Sequence, residues 1–441
     1  MSVHTFHCEQ NLRGRTATSD RVALPGSETI FLHVKRDKLA EFRVCLLPDD
    51  FAGETRSGAK EPVLCFAIGQ HTNTIAAMGF GNPHVTAAQH GYRHCELPRN
   101  GDVRNFWIVC DRTTGWLALG HGGVPDIGKT LLTSRLRAEL RPQLAAVTCA
   151  VVSNWDESVS VAMSLQAGCL EALHKPKAKF DLAGDTIGMR GLTLVCDLPT
   201  STRNVMRPLP TIMCQMRHAL ETDPALAGNF ALLPVDSYHM TVFDLCSGPK
   251  FQQLVEAHAA DPAASAAARA HIHRMQFHEG LTDAEKLFVT TIALRLEQAG
   301  IMQSVPWTTF AMRAVGLDDL ARSVELVPWD DSVCVALEAW RKVIAESTIA
   351  FGTNQAEPIA CEVRPANGES GPRWAPGHYR FHMTVAYENF PIGKSKEAWE
   401  AVARIRDQAA AAFRDLGPLM VCAPYLCHFA SMAAFHPVTL A

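Results

Sequence analysis

The sequence predicts an α+β chain: an all-β, sandwich-like region followed by a mixed domain of helices and antiparallel strands. Three observations predict it. Before Lys129 the chain offers short apolar or alternating runs with almost no helical periodicity. After about Ala167, helical and strand periodicities intermix. The tetrapeptide His-Met-Thr-Val occurs twice, at 239–242 and 382–385, each time after an aromatic residue (Tyr238, Phe381).

In the first region, residues 29–34, 41–47, 62–68, 106–110 and 147–152 read as strands separated by Gly, Pro, Asn and Asp. A polar, glycine-containing stretch at 175–185 marks a boundary near 155–180. The domains are therefore placed at 1–165 and 174–441. In the second, 192–198 reads as a strand, 209–220 as a helix and 238–245 as the first motif strand. Helices follow at 251–275 and 283–298, then strands at 310–315 and 324–327 and a helix at 333–347. Residues 379–387 read as the second motif strand, 396–416 as an Ala-rich helix and 425–435 as a last strand. A helix precedes each motif copy, which hints at an internal duplication.

The 441 residues exceed one ordinary domain. Hydrophobic residues make up 47% and charged residues 20%, as in a globular protein. The net charge of −4 gives no general attraction to nucleic acid, so an anion site must be local. The longest apolar stretch, around 144–152, falls far short of a membrane span, and the first ten residues do not read as a signal peptide. Fourteen cysteines without CxxC spacing suggest reduced, buried thiols. A cytoplasmic protein without disulfides or membrane partner follows as the expectation.

In a strand, alternate side chains share a face. His239 and Thr241 then share one face, and His382 and Thr384 share one in the second copy. Cleavage of a phosphodiester needs a base, an acid and donors for the non-bridging oxygens. Two imidazoles can be base and acid near neutral pH. Two threonine hydroxyls can hold the phosphoryl oxygens, and the chemistry needs no metal or cofactor. A single His-x-Thr would be read as an ordinary strand; its recurrence with the same context favours function. Parity adds Ser237 and Phe243 to the His239 face, and Arg380 to the His382 face. Arg313 sits mid-strand among apolar residues. Arg380, Arg313 and Ser237 are the candidate substrate-binding residues.

With these motifs, "LLPVDSYHMTVFD" and "YRFHMTVAY", the sequence resembles the two-histidine phosphoesterase superfamily over about residues 174–437. "KFDLAGDTIGMRGLTLVCDLP" and "PYLCHFASMAAFHPV" extend the resemblance, which is to an uncharacterised clade. It implies a bilobal, pseudo-symmetric α+β fold with both motifs on central strands. It also implies phosphodiesterase activity on a nucleotide or RNA end bearing a 2′,3′-cyclic phosphate, or a related cyclic phosphoester. His239, His382, Thr241 and Thr384 carry over as catalytic residues. Which histidine is base is open; the first reading has His382 activate water and His239 protonate the leaving group. The alternatives are a binding protein that captures a phosphorylated ligand without turnover, and an NTPase.

The NTPase alternative rests on Gly123–Thr130, which fits G-x4-G-K-T, with a strand-like run before it, a helix anticipated at 131–140 and Asp197 as an acidic partner. No series of βα units surrounds it, which argues against a nucleotide site. Residues 12–165 resemble, more weakly, the farnesoic acid O-methyltransferase-like domain, through "ETIFLHVKRDKLAEFRVCLLP" and "NFWIVCDRTTGWLALGHGG". That resemblance implies a β-sandwich with the loop after a strand. A protein- or small-molecule-binding module is the expectation there, because no glycine-rich methyl-donor framework is present. His271, His273 and His278 form H-x-H-x4-H in a helical context, where i and i+2 do not share a face, so a solvated helix end is preferred to a metal site. No serine nucleophile elbow occurs.

Overall fold

A computed structural model describes residues 3–7, 17–18, 22–24, 29–37, 42–48, 64–69, 75–80, 93–97, 104–136, 141–154, 160–165, 179–180, 186–197, 208–277, 280–301, 310–353, 358–360, 363–364, 373–374 and 378–440. The interdomain stretch 166–178 and His278 lie outside them. Helices and antiparallel sheets coexist, so the chain is α+β. It divides into two compact units, each built from three segments.

The first unit comprises Met1–Gly184, Leu220–Ala231 and Glu388–Ala403. It holds a six-stranded and a seven-stranded antiparallel sheet. The predicted strands appear as Thr29–Arg36, Phe42–Leu47, Leu64–Gly69, Asn105–Asp111 and Cys149–Asn154. One buried cluster draws on both sheets: Ile30, Leu32 and Ile108 from the first, Val44, Phe66 and Ile68 from the second. The unit is thus held chiefly by apolar burial between sheets.

The phosphate-loop-like segment is corrected here. It lies in the hairpin joining Trp116–His121 to Thr130–Arg135, and where the helix anticipated at 131–140 would begin, residues 130–135 form a strand. Leu131 and Leu132 are wholly buried in the core, which a solvent-facing first helical turn would not allow. Asp126 closes the loop on itself by accepting from the Gly128 amide at 2.8 Å. Its carboxylate also lies 3.8 Å from Lys129 Nζ. A phosphate cradle needs backbone amides converging at a helix start, and here a strand follows instead.

The second unit comprises Asp185–Ala219, Leu232–Tyr387 and Arg404–Ala441. Its eight-stranded sheet contains β1 (Gly191–Asp197), β2 (His239–Ser247), β3 (Phe310–Leu317), β4 (Ser323–Pro328), β5 (Phe381–Thr384), β6 (Leu419–Val421), β7 (Tyr425–Ser431) and β8 (Ala434–Pro437). The order across the sheet is β6-β3-β4-β5-β2-β1-β7-β8, so the two motif strands are central neighbours. The helices are α1 (Pro208–Thr222), α2 (Pro249–Ala259), α3 (Pro262–His271), α4 (Asp283–Gln298), α5 (Asp331–Thr348) and α6 (Lys396–Arg414), of which the end of α1 from Leu220 and the start of α6 up to Ala403 fall in segments of the first unit. The single helix expected over 251–275 is two. Pro262 has no N–H to continue α2, and Asp261 caps a new start by accepting from the amides of Ala263 and Ala264. Helix α4 opens with a full capping box between Thr282 and Glu285. Helices α2 and α5 pack on β2, and α5 also on β4. No helix among the described residues is long and apolar enough to cross a membrane.

Candidate active site

The site is built on alternation. Met240, Val242, Met383 and Val385 are all 0% exposed, whereas His239, Thr241 and Thr384 are half-buried and His382 is exposed. Apolar members of each motif thus enter the core, and polar members occupy the other face. Strands β2 and β5 are antiparallel, with Met240 opposite Met383. Continuing that register sets His239 against Thr384 and Thr241 against His382. The histidines are then diagonal neighbours, about 7–8 Å apart at their Cα atoms. That is room for one phosphoryl group between two imidazoles.

Each imidazole is held the same way. His239 Nδ1 lies 2.7 Å from the Ser237 carbonyl oxygen, and His382 Nδ1 lies 3.1 Å from that of Arg380. A carbonyl can only accept, so Nδ1 carries the proton in both neutral rings and Nε2 is the basic nitrogen. The Phe435 ring packs against His239 at 4.1 Å, centroid to centroid, tilted by 54°.

Parity fails at two positions. Ser237 precedes the strand, in the 3₁₀ turn Val235–Ser237, and its hydroxyl donates to Pro234 O at 2.7 Å. It is buried, and it meets the site through its carbonyl. Phe243 lies on the face opposite His239. The β1–β2 register slips by one residue, with Val195 opposite Thr241 but Leu194 opposite Phe243. This bulge skips Val242 and turns Phe243 beneath the α5 residue Arg341, whose guanidinium carbon is 5.2 Å from the Phe243 ring. Arg341 is wholly buried and donates to the carbonyls of Val242 and, at 2.5 Å, Pro358. The Tyr379 hydroxyl donates to Thr241 O at 3.3 Å, and the Arg341 guanidinium carbon is 3.6 Å from the Tyr379 ring centroid. The bulged carbonyls of β2 are thereby satisfied from α5 and from the segment entering β5.

Strand β4 extends the polar face. Ser323 lies opposite Thr384 and Glu325 opposite His382. The Ser323 hydroxyl donates to Thr384 Oγ1 at 3.4 Å. Burial pushes the Glu325 carboxyl up, Arg380 pulls it down, Asp318 and Asp319 push it up and His382 pulls it down; the balance is a raised value. Arg313 on β3 lies opposite Val327, on the same face as Glu325, with its guanidinium 4.5 Å from the Trp329 ring centroid. Arg380 is exposed at the start of β5. On the other flank, Asp197 is opposite His239 in register. Ser323 and Glu325 escaped the sequence reading. Their signal was the alternation of Ser-Val-Glu-Leu-Val, which sets a hydroxyl and a carboxylate on one face of an otherwise apolar strand.

His271 and His273 are exposed at the end of α3, and among the described residues no three of His, Cys, Asp and Glu cluster as metal ligands would.

Residues 179–295 match the family model 2H-phosphodiest, described as a domain of unknown function (DUF1868). The match agrees with the two-histidine phosphoesterase resemblance and contains the first motif. A solved structure of a conserved protein of unknown function from Agrobacterium tumefaciens is similar at 20% identity, with a TM-score of 0.39, over 60% of this chain and 91% of that one. No curated protein matches. None of these findings supports the farnesoic acid O-methyltransferase-like resemblance of residues 12–165.

Proposed function

We propose that this protein is a metal-independent phosphodiesterase acting on a nucleotide or RNA end with a 2′,3′-cyclic phosphate, or on a related cyclic phosphoester. One histidine takes a proton from water as its oxygen attacks phosphorus. The other gives a proton to the ring oxygen as the P–O bond breaks. Thr241 and Thr384 donate to the non-bridging oxygens as charge develops. Arg380 and Arg313 supply positive charge on the same face. The first unit, read as a β-sandwich, serves as a binding module for a protein or small molecule.

The observation that carries this reading is the pairing of the two motifs about Met240 and Met383, with both rings fixed through Nδ1. Fixed tautomers with basic Nε2 atoms are what acid–base work on one phosphoryl group requires. The phosphoesterase-type match over residues 179–295 supports the reaction class. The test is hydrolysis of the four nucleoside 2′,3′-cyclic monophosphates and of a cyclic-phosphate-ended oligoribonucleotide, with and without EDTA. Turnover unaffected by EDTA and absent from His239→Ala and His382→Ala is the expected result. Tight binding of these compounds without turnover would replace the reading with that of a phospho-ligand-binding protein.

A further inference from the structure

In the first unit, Arg135 closes the strand Thr130–Arg135 and Arg141 opens the short helix Arg141–Ala145. Both side chains turn onto the peptide between Thr114 and Gly115. Arg135 Nε donates to Thr114 O at 3.3 Å, and Arg141 Nε donates to Leu136 O at 3.5 Å. Each stem lies over a glycine of positive φ. A Cβ at Gly228 (φ 86°) would stand 2.7 Å from Arg135 Cδ, and one at Gly115 (φ 77°) would stand 3.2 Å from Arg141 Nε. The two glycines leave seats for two arginine stems that a side chain would displace.

Both arginines are half-buried. Among the described residues neither guanidinium makes an ion pair, and neither donates to anything but those two carbonyls. A cation that gives up water normally meets a carboxylate in exchange. Here Arg135 meets a second cation: burial pushes its guanidinium down, and the Arg141 charge pushes it further the same way. The Nη ends of both forks are left without an acceptor. Trp116 adds to the imbalance. It stands opposite Arg135 in the strand register, on the same face of the sheet, and is 1% exposed. Its buried indole N–H has no acceptor either.

Two adjacent guanidiniums without a carboxylate are matched by a group with two negative charges and several terminal oxygens. A phosphoryl group has both, and planar forks fit its oxygens. A carboxylate carries one charge and is filled by one fork. We propose that Arg135 and Arg141 form an oxyanion site of the first unit that takes the terminal phosphoryl group of a phosphorylated ligand. The proposal rests on the reading of this unit as a binding module, and it is independent of the phosphodiesterase chemistry of the second.

The test uses the full-length His239→Ala/His382→Ala double variant, which removes both motif imidazoles as anion ligands. Calorimetric titration with inorganic phosphate, at an ionic strength held constant with sodium chloride, should show saturable binding with Kd of about 1 mM or tighter. Arg135→Gln and Arg141→Gln on that background should each weaken it by about tenfold or more. Arg135→Lys and Arg141→Lys, which keep the charge and lose the fork, should lie between. Acetate should bind about tenfold more weakly than phosphate. A thermal melt establishes folding of each variant, and the lysine variants carry the comparison if a glutamine variant does not fold. No saturable phosphate binding in the double variant overturns the proposal. Binding undiminished by the arginine substitutions overturns it too, while keeping a phosphate-binding protein. Acetate binding as tight as phosphate overturns the phosphoryl assignment. Turnover by the wild-type protein reports separately on the phosphodiesterase reading.

Discussion

Met240 and Met383 lie opposite one another where β2 meets β5, and both are completely buried. The pair acts as the pivot of a local two-fold arrangement. Stepping one residue outward in either direction reaches a histidine on one strand and a threonine on the other. Each half of the site is consequently assembled from both motifs, and neither copy holds a complete half by itself.

Removing either imidazole should be near-total in effect. His239→Ala and His382→Ala are expected to lower kcat by about 10²–10⁴ with melting temperatures close to wild type, since both side chains lie on the solvated face. Steady-state assays and circular dichroism check this, and full turnover in either variant sinks the assignment.

The threonines should act on the transition state. Thr241→Val and Thr384→Val, which keep the shape and lose the donor, should each lower kcat by on the order of 10² with smaller changes in KM. Ser323→Ala, which removes the hydroxyl that donates to Thr384 Oγ1, should reproduce a fraction of the Thr384 effect and add little to it in the double variant.

Arg341 should prove structural. Its loss leaves the buried carbonyls of Val242 and Pro358 without this donor, at about 1–3 kcal/mol each. Arg341→Met should therefore show a lower urea midpoint, and its residual folded fraction should have reduced kcat because the β2 bulge is less well held. A midpoint equal to wild type would show that the bulge holds its shape without the guanidinium.

The hairpin at Gly123–Thr130 should be indifferent to nucleotides. Lys129→Ala is expected to leave phosphodiester hydrolysis unchanged and to alter no ATP-dependent property, because its ammonium faces Asp126 at the tip of a β-hairpin. Lys129-dependent ATP hydrolysis would contradict the hairpin assignment.

Acid should weaken the second unit through Glu285. Arg190 Nη1 lies 2.6 and 2.5 Å from its two carboxylate oxygens. Burial pushes this carboxyl up, but the Arg190 and Thr282 hydrogen bonds outweigh it and hold the value below the ordinary range. A depressed carboxyl contributes stability above its unfolded value and loses it as pH falls through the folded one. Denaturation midpoints should drop on acidification below the usual carboxylate range. Glu285→Gln should be less stable at neutral pH and show a flatter acid dependence.

The sequence disclosed the site where one rule, strand alternation, was enough. His239, Thr241, His382 and Thr384 share a face because nothing interrupts two residues of parity. Phe243 was misplaced because the Val242 bulge leaves no mark in the sequence: the extra residue is apolar and buried like its neighbours. Ser237 was misplaced because the strand begins only at His239, after a 3₁₀ turn set by Pro234. Helices α4 and α5 were legible through their periodicity, whereas the break between α2 and α3 turned on Asp261-Pro262, a punctuation mark inside an alanine-rich run. The assembly of the first unit was beyond local pattern altogether, since its remote segments are joined to it by tertiary contacts.

Those contacts bear on how the gene can be cut. The Phe390 ring lies 3.8 Å from that of Trp116, Thr133 Oγ1 donates to Pro391 O at 2.6 Å, and the Asn229 amide donates to Thr133 Oγ1 at 2.9 Å. At Gly393 (φ 63°), a Cβ would lie 2.6 Å from Leu131 O, so the backbone approach itself excludes other residues. A shortened clone beginning after Gly184 would strip Phe390 and Asn229 of their partners and leave apolar surface bare. Expressing either half alone should yield aggregates, and separately purified halves should not complement one another by simple mixing.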